Sequence, residues 1–151
     1  TNGDRLIQEL KKEKINAFKV QAPLQAPDAL VLKERKNVFA TSSFKNGDYE
    51  MQDAGSQSIA PLLQVQPGQS VVDACAGSGG KTLHLAALMQ NKGKILAMDI
   101  HEMKLGDLKQ RAARAGAKII ATQLISSPKV IQSLENSFDR VLIDSPCSGL
   151  G

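Results

Sequence analysis

An α/β fold built on a parallel sheet is what this sequence predicts, and three observations predict it. Short apolar runs at 71–75, 94–100, 118–122 and 138–143 alternate with helix-forming or loop stretches. Apolar strands separated by such connections imply parallel pairing through right-handed crossovers. A glycine-rich turn, Gly77-Ser78-Gly79-Gly80, follows the first run. Asp99 closes the second run and Asp144 follows the fourth. All three features therefore gather at the carboxyl ends of strands, where ligands bind in this architecture.

The elements follow in order. Leu6, Ile7 and Leu10 repeat at helical spacing, so residues 4–12 are read as a short amphipathic helix. β-like pieces come next at 17–20, 29–32 and 38–41, with Pro23 and Pro27 between them and Asn46-Gly47-Asp48 as a turn. Residues 1–48 thus form a small α+β region that is not a complete domain by itself. The pattern changes near Asp53, which is placed to cap a helix running to residue 63, broken by Pro67-Gly68. The four strands then come with helices at 81–90, at 102–115 (stopped by Gly116) and, more weakly, at 129–135. The second unit is taken as 49–151. The chain starts at Thr1 rather than Met and ends just after a candidate active-site loop, so it reads as a fragment of a longer protein.

Composition narrows the class. At 151 residues, with 42% hydrophobic and 23% charged residues, the chain can bury a full core. Four Phe, one Tyr and no Trp are too few for an aromatic stacking platform. Nineteen basic residues against fifteen acidic ones give +4, a charge compatible with nucleic acid and equally with an ordinary enzyme surface. The clusters Lys11-Lys12-Glu13-Lys14 and Lys33-Glu34-Arg35-Lys36 read first as solvated faces. Two cysteines and two histidines, His84 and His101, make neither a disulfide scaffold nor a metal site. Each histidine is read as a surface or cap residue. No apolar run is long enough to span a membrane, and a reducing, cytoplasmic setting and a monomer are expected.

The glycine turn is specific in what it is not. Gly-Ser-Gly-Gly departs from GxGxxG, and Gly80-Lys81-Thr82 lacks the glycine a phosphate-binding loop carries five residues upstream, where Cys75 stands. Glycines there let a ligand approach the backbone, and the next helix offers free N–H groups. Asp99 at the end of the second strand can accept both hydroxyls of a ribose. A ribose without a phosphate cradle suggests S-adenosylmethionine. The plainer role for Asp99 is to cap the helix that starts at Glu102.

The motif from Asp73-Ala-Cys75 through Gly80-Lys81-Thr82, the acidic end of the second strand, and Phe138-Asp-Arg-Val-Leu-Ile-Asp144-Ser-Pro-Cys147-Ser-Gly149 together resemble the Sun (RsmB-like) family of RNA cytosine-5 methyltransferases. Gln52-Asp53-Ala-Gly-Ser-Gln57 matches the segment that the family carries ahead of its cofactor motif. The resemblance covers residues 45–151 well and the preceding part loosely. It implies a Rossmann-like methyltransferase fold, here truncated after the fourth strand and preceded by the last part of a small RNA-binding region. It implies S-adenosylmethionine as cofactor, held by Cys75, Ala76, Gly77, Ser78, Gly79, Gly80 and Lys81 largely through backbone, with Asp99 on the ribose and Asp144 between cofactor and base. It gives Lys81 a second role on the cytosine. It implies RNA as partner, ribosomal first and transfer RNA second. The sequence departs from the family where an acid normally stands near the adenine after the third strand. Ile125 falls there, no Asp or Glu occurs from 117 to 134, and Gln123, Ser126 and Ser127 are the polar groups left.

The chemistry explains why a cysteine is wanted. Carbon 5 of cytosine is a poor nucleophile until a thiolate adds at C6, after which C5 behaves as an enamine carbon. A cation such as Lys81 favours the thiolate, and a carboxyl such as Asp144 can hold the pyrimidine edge. On chemistry alone Cys147 is the nucleophile. The resemblance implies instead that the attacking cysteine lies in a later Thr-Cys motif, absent here, and that Cys147 assists product release. Cys75 is read as a packing residue as readily as a functional one. Two further readings compete: a non-catalytic RNA-binding member of the fold, suggested by Ile125, and a methyltransferase for small molecules or proteins. Lys33, Arg35, Lys36 and Lys45 are candidate phosphate contacts.

Overall fold

The computed structural model describes residues 3–20 and 26–145. Cys147 lies outside the described residues. The first elements are α1 (Gly3–Lys12), β1 (Ala17–Lys19) and β2 (Leu30–Leu32), the two strands pairing antiparallel with Phe18 opposite Val31. Leu6, Leu10, Ile15 and Val38 make their shared core, and Ala17, Leu30, Leu32 and Tyr49 pack against it.

The β-like run at 38–41 is not a strand. Thr41 is the N-cap of α2 (Ser42–Lys45): its hydroxyl accepts from the Phe44 N–H and donates to the Val38 carbonyl at 2.6 Å. Hydroxyl side chains that bond nearby backbone compete with ladder pairing, and here the cap wins. Asp53 caps as expected, accepting from the Gly55 and Ser56 N–H groups. Its helix is split into α3 (Ala54–Gln57) and α4 (Ile59–Leu62) rather than continuous to residue 63. Pro61 has no N–H for the Gln57 carbonyl, so the ladder fails at that turn.

Beyond this lies the four-stranded sheet: β3 (Ser70–Asp73), α5 (Gly80–Leu88), β4 (Lys94–Asp99), α6 (Glu102–Arg114), β5 (Ile120–Leu124), α7 (Pro128–Gln132) and β6 (Arg140–Leu142). Its order is β5-β4-β3-β6, parallel throughout. The third strand sits two residues later than its apolar run suggests. Lys118 gives its N–H to the Asn91 side chain, and the ladder begins with Ile95 opposite Ile120. The fourth strand is shorter than expected, and Asp139 clasps Ser70 just before it: the Ser70 N–H donates to Asp139 Oδ2 and the Asp139 N–H to the Ser70 carbonyl, both at 2.8 Å.

Two core clusters lie on one face of the sheet, while Val72 and Met98 are buried on the other. Val71, Leu85, Ala86, Met89, Ile95 and Leu142 form one buried cluster, and Ala76, Leu83, Ala97, Leu108 and Ala112 a second beneath α6. By strand alternation Val141 and Ile143 point to the other face, where they are 55% and 68% exposed. Among the described residues no helix is long and apolar enough to cross a membrane. The strand order reverses between β3 and β6, and the carboxyl ends at such a switch point form a crevice.

Candidate active site

The glycine turn is fixed by four backbone interactions. Ala76 N–H donates to the Met98 carbonyl at 2.8 Å, and Gly79 N–H to the Ala76 carbonyl at 2.9 Å. Gly77 N–H donates to Asp99 Oδ2 at 2.8 Å. The Ser78 carbonyl accepts from Arg111 Nη1 at 2.7 Å. Gly77 has φ +53°, and a Cβ there would meet nothing within 4 Å; Gly79 has φ +89°, and a Cβ there would sit 2.5 Å from Leu108 Cγ. The two glycines thus serve different needs, an open side and a close approach.

Asp99 is 8% exposed. Its Oδ1 accepts the His101 N–H at 2.8 Å, so it does part of the work of a cap while holding the glycine turn. His101 itself is the exposed N-cap of α6 and makes no side-chain cap bond. Ile125 follows β5 and donates its N–H to the Asp99 carbonyl at 2.9 Å, which puts it beside Asp99 as its spacing implied. The Gln123 amide donates to the Leu124 carbonyl.

Lys81, in the first turn of α5, pairs with Asp144 just past β6: Nζ to Oδ2 is 2.6 Å, with side chains 20% and 41% exposed. This pair bridges the switch point. Below it Asp73 is 1% exposed; its Oδ2 accepts from Thr82 Oγ1 at 2.7 Å, and its Oδ1 is buried without a partner. Burial pushes the Asp73 carboxyl up, and the Asp144 charge adds to this. The Thr82 hydroxyl, the Cys75 N–H and the Lys81 charge pull it down without cancelling the rise. Cys75 is half-buried; burial first, then the Asp73, Asp99 and Asp144 charges, push its thiol up. It is therefore a poor thiolate and fits a packing role better than a reactive one. Ser78 and Gly80 are half-buried, and Gly80 packs on the Gln52 side chain of the segment ahead of α3.

A carboxyl raised by folding favours the native state fully below its unfolded value, near 3.9, and loses that contribution as pH rises through the folded value. Asp73→Asn, which carries no charge to desolvate, is therefore expected to be more stable than the parent at pH 7. The gap should shrink toward pH 4. Thermal unfolding at both pH values measures it, and a gap that widens in acid would sink the argument.

Three features escaped sequence reasoning. Glu50, 17% exposed, pairs with Arg111 (Nη2 to Oε2, 2.9 Å) and with Arg114, whose guanidinium carbon lies 3.8 Å from the centre of the Phe44 ring. Thr82 is a partner of Asp73, not only a helix residue. His84 is not a surface residue: both ring nitrogens are buried without partners, and burial lowers its basicity against the opposing Asp28 charge. It lines a groove of about 1150 Å³ between α1, the strand pair and α5, with Leu6, Asp28, Tyr49, Gln52 and Leu83. Its lining includes none of Lys81, Asp99 and Asp144.

A parallel sheet with reversal between β3 and β6, a glycine turn after β3 and a buried acid closing β4 define the Rossmann-like methyltransferase class. Within it the chain belongs to the RsmB/F methyltransferases: the family described as 16S rRNA methyltransferase RsmB/F matches residues 60–151. The "Probable ribosomal RNA small subunit methyltransferase B" of Bacillus subtilis is 39% identical over 127 residues, 83% of this chain and 28% of the relative. The mouse tRNA (cytosine(72)-C(5))-methyltransferase NSUN6 is 38% identical over 113 residues, 67% of this chain and 24% of the relative. The crystal structure of NSun6 from Pyrococcus horikoshii with SFG superposes at a TM-score of 0.70 with 27% identity, covering 82% of this chain and 33% of that one. The chain spans about a quarter of the length of these curated relatives.

Proposed function

We propose that this chain is the cofactor-binding part of an RNA cytosine-C5 methyltransferase that uses S-adenosylmethionine and acts on ribosomal RNA. The observation that carries the reading is the Lys81–Asp144 pair set across the switch point beside the Asp99-anchored glycine turn. A cation and an acid stand together where a base would meet the methyl donor. The residues fit the cofactor: Gly77 leaves open the space a Cβ would fill. Asp99 has lone pairs left after its two N–H bonds. The NSun6 structure with SFG, an S-adenosylmethionine analogue, supports the same assignment.

Bound S-adenosylmethionine supplies an electrophilic methyl on a sulfonium. Asp99 would accept the ribose hydroxyls, and residues 75–81 would line the cofactor through their backbone. Asp144 would accept an N–H from the pyrimidine edge. Lys81 keeps donors beyond the one on Asp144, so it can hold that acid and still donate to the base. Residues 1–48 are assigned to the end of an RNA-binding region, in which Lys33, Arg35, Lys36 and Lys45 are all exposed. Cys147 is assigned to product release, with the attacking cysteine in a Thr-Cys motif after Gly151. A cytoplasmic monomer belongs with this reading. The second reading, transfer RNA as substrate, is favoured by the NSUN6 relative.

The test uses the full-length protein carrying Cys147→Ala, incubated with S-adenosylmethionine and either unmodified ribosomal RNA or transfer RNA, then run on a denaturing gel. A stable adduct with ribosomal RNA is expected. An adduct with transfer RNA alone would move the substrate, and loss of both adduct and methyl transfer would make Cys147 the nucleophile. Lys81→Met is expected to lower kcat/KM for RNA by about 100-fold while leaving the fold intact. Unchanged turnover would remove Lys81 from the chemistry.

A further inference from the structure

The glycine turn is held on its cleft side by Asp99 and on its far side by a charge network that begins before the sheet. Arg111 donates Nη1 to the Ser78 carbonyl at 2.7 Å, while its Nε and Nη2 donate to Glu50 Oε2 at 3.1 and 2.9 Å. The Gly79 N–H at the other end of the same peptide is fixed on the Ala76 carbonyl. Both polar ends of the Ser78–Gly79 peptide are therefore held, which fixes its plane. Glu50 is shared with Arg114, and Arg114 covers the Phe44 ring. Gly47 lies against the same end of α6: a Cβ there would sit 2.1 Å from the Arg114 carbonyl oxygen. Segment 44–50 is thus seated on α6 by close backbone contact, a ring under a guanidinium and a carboxylate that serves two arginines.

We infer that Arg111 is a positioning residue for the cofactor turn, and that Glu50 orients the guanidinium that holds it. The turn must present its backbone to the cofactor in one arrangement, and a carbonyl free to rotate would leave that arrangement to be selected at binding. A charge-assisted bond from a guanidinium held by a carboxylate is strong enough to fix it in advance. The region ahead of the sheet thereby reaches the methyl-donor site without touching it. The inference rests on the cofactor reading proposed above, but its geometry does not.

The test compares Arg111→Ala, Arg111→Lys and Arg114→Ala in the full-length protein. Arg114 shares Glu50 and adds the Phe44 contact yet does not touch the turn, so it reports the cost of loosening the network alone. Arg111→Ala is expected to weaken S-adenosylmethionine binding about tenfold, one charge-assisted hydrogen bond's worth, with kcat at saturating cofactor within about twofold. Arg111→Lys should recover part of it. Arg114→Ala should lower the unfolding temperature comparably and leave cofactor affinity unchanged. Without cofactor, Arg111→Ala should speed amide exchange at Gly79, and Arg114→Ala should not. Equal exchange at Gly79 in the two variants, or cofactor affinity that falls in step with unfolding temperature in both, would overturn the inference. Failure of the unsubstituted protein to bind the cofactor would refute the proposed function, and the exchange comparison would still decide the role of Arg111.

Discussion

Gly79→Ala is expected to lower the unfolding free energy by about 3 kcal/mol. Two costs add. At φ +89° a side chain must sit in the left-handed region, which costs about 1 kcal/mol or slightly more. The new methyl would lie 2.5 Å from Leu108 Cγ and 3.0 Å from its Cδ1, and overpacking a core costs about 1–3 kcal/mol. Leu108 cannot yield easily, because it is fully buried in the cluster with Leu83, Ala97 and Ala112. The unfolding temperature should fall by about 10 °C in a chain of this size. Gly77→Ala supplies the contrast. Its Cβ meets nothing, so only the backbone cost of about 1 kcal/mol applies. The methyl would instead enter the space assigned to the cofactor, so Gly77→Ala should stay folded and lose binding. A Gly79→Ala variant as stable as the parent would show that α6 is not seated against the turn as described.

Asp99→Ala should weaken S-adenosylmethionine binding by about a thousandfold, measured calorimetrically. Two charge-assisted bonds to the ribose hydroxyls are worth about 1.5–3 kcal/mol each. The substitution also takes the acceptor from the Gly77 and His101 N–H groups. The turn and the start of α6 both loosen, and this separates the residue from an ordinary cap. Asp99→Asn keeps one acceptor but brings an amide that cannot accept from the second N–H, so it should fall between the two. Affinity within threefold of the parent for Asp99→Ala would place the ribose elsewhere.

How much of this could be read from the sequence depends on how far apart the interacting residues are. The strands were visible because a sheet covered by helices needs continuous apolar runs, and the glycine turn because its residues are adjacent. Lys81 and Asp144 were legible as motif members, and the structure supplies their pairing. Where a side chain competes with the backbone, local patterns failed: Thr41 turned a strand-like run into a cap, and Pro61 split a helix whose cap was right. The Glu50–Arg111–Arg114 network had no sequence signal, since an acid before the sheet and two arginines on α6 look like solvated charges until the fold brings them together. His84 gave the wrong impression for the same reason. One turn into a short helix, it looks like a surface residue until the fold sets it on the wall of the groove that Leu6 and Asp28 line opposite.

The strand pairings also set an order of assembly. Val71 meets Ile95 through a short excursion that contains the whole glycine turn and α5, and meets Arg140 only after the chain has travelled through β4, α6, β5 and α7. Closing the longer loop costs about 1 kcal/mol more chain entropy. The donor side of the crevice can therefore form as a nearly local unit, whereas Asp144 arrives with β6, whose pairing closes the longer loop. In refolding, the cradle should precede the acid that faces the base, and under strain the acid should be the first to leave.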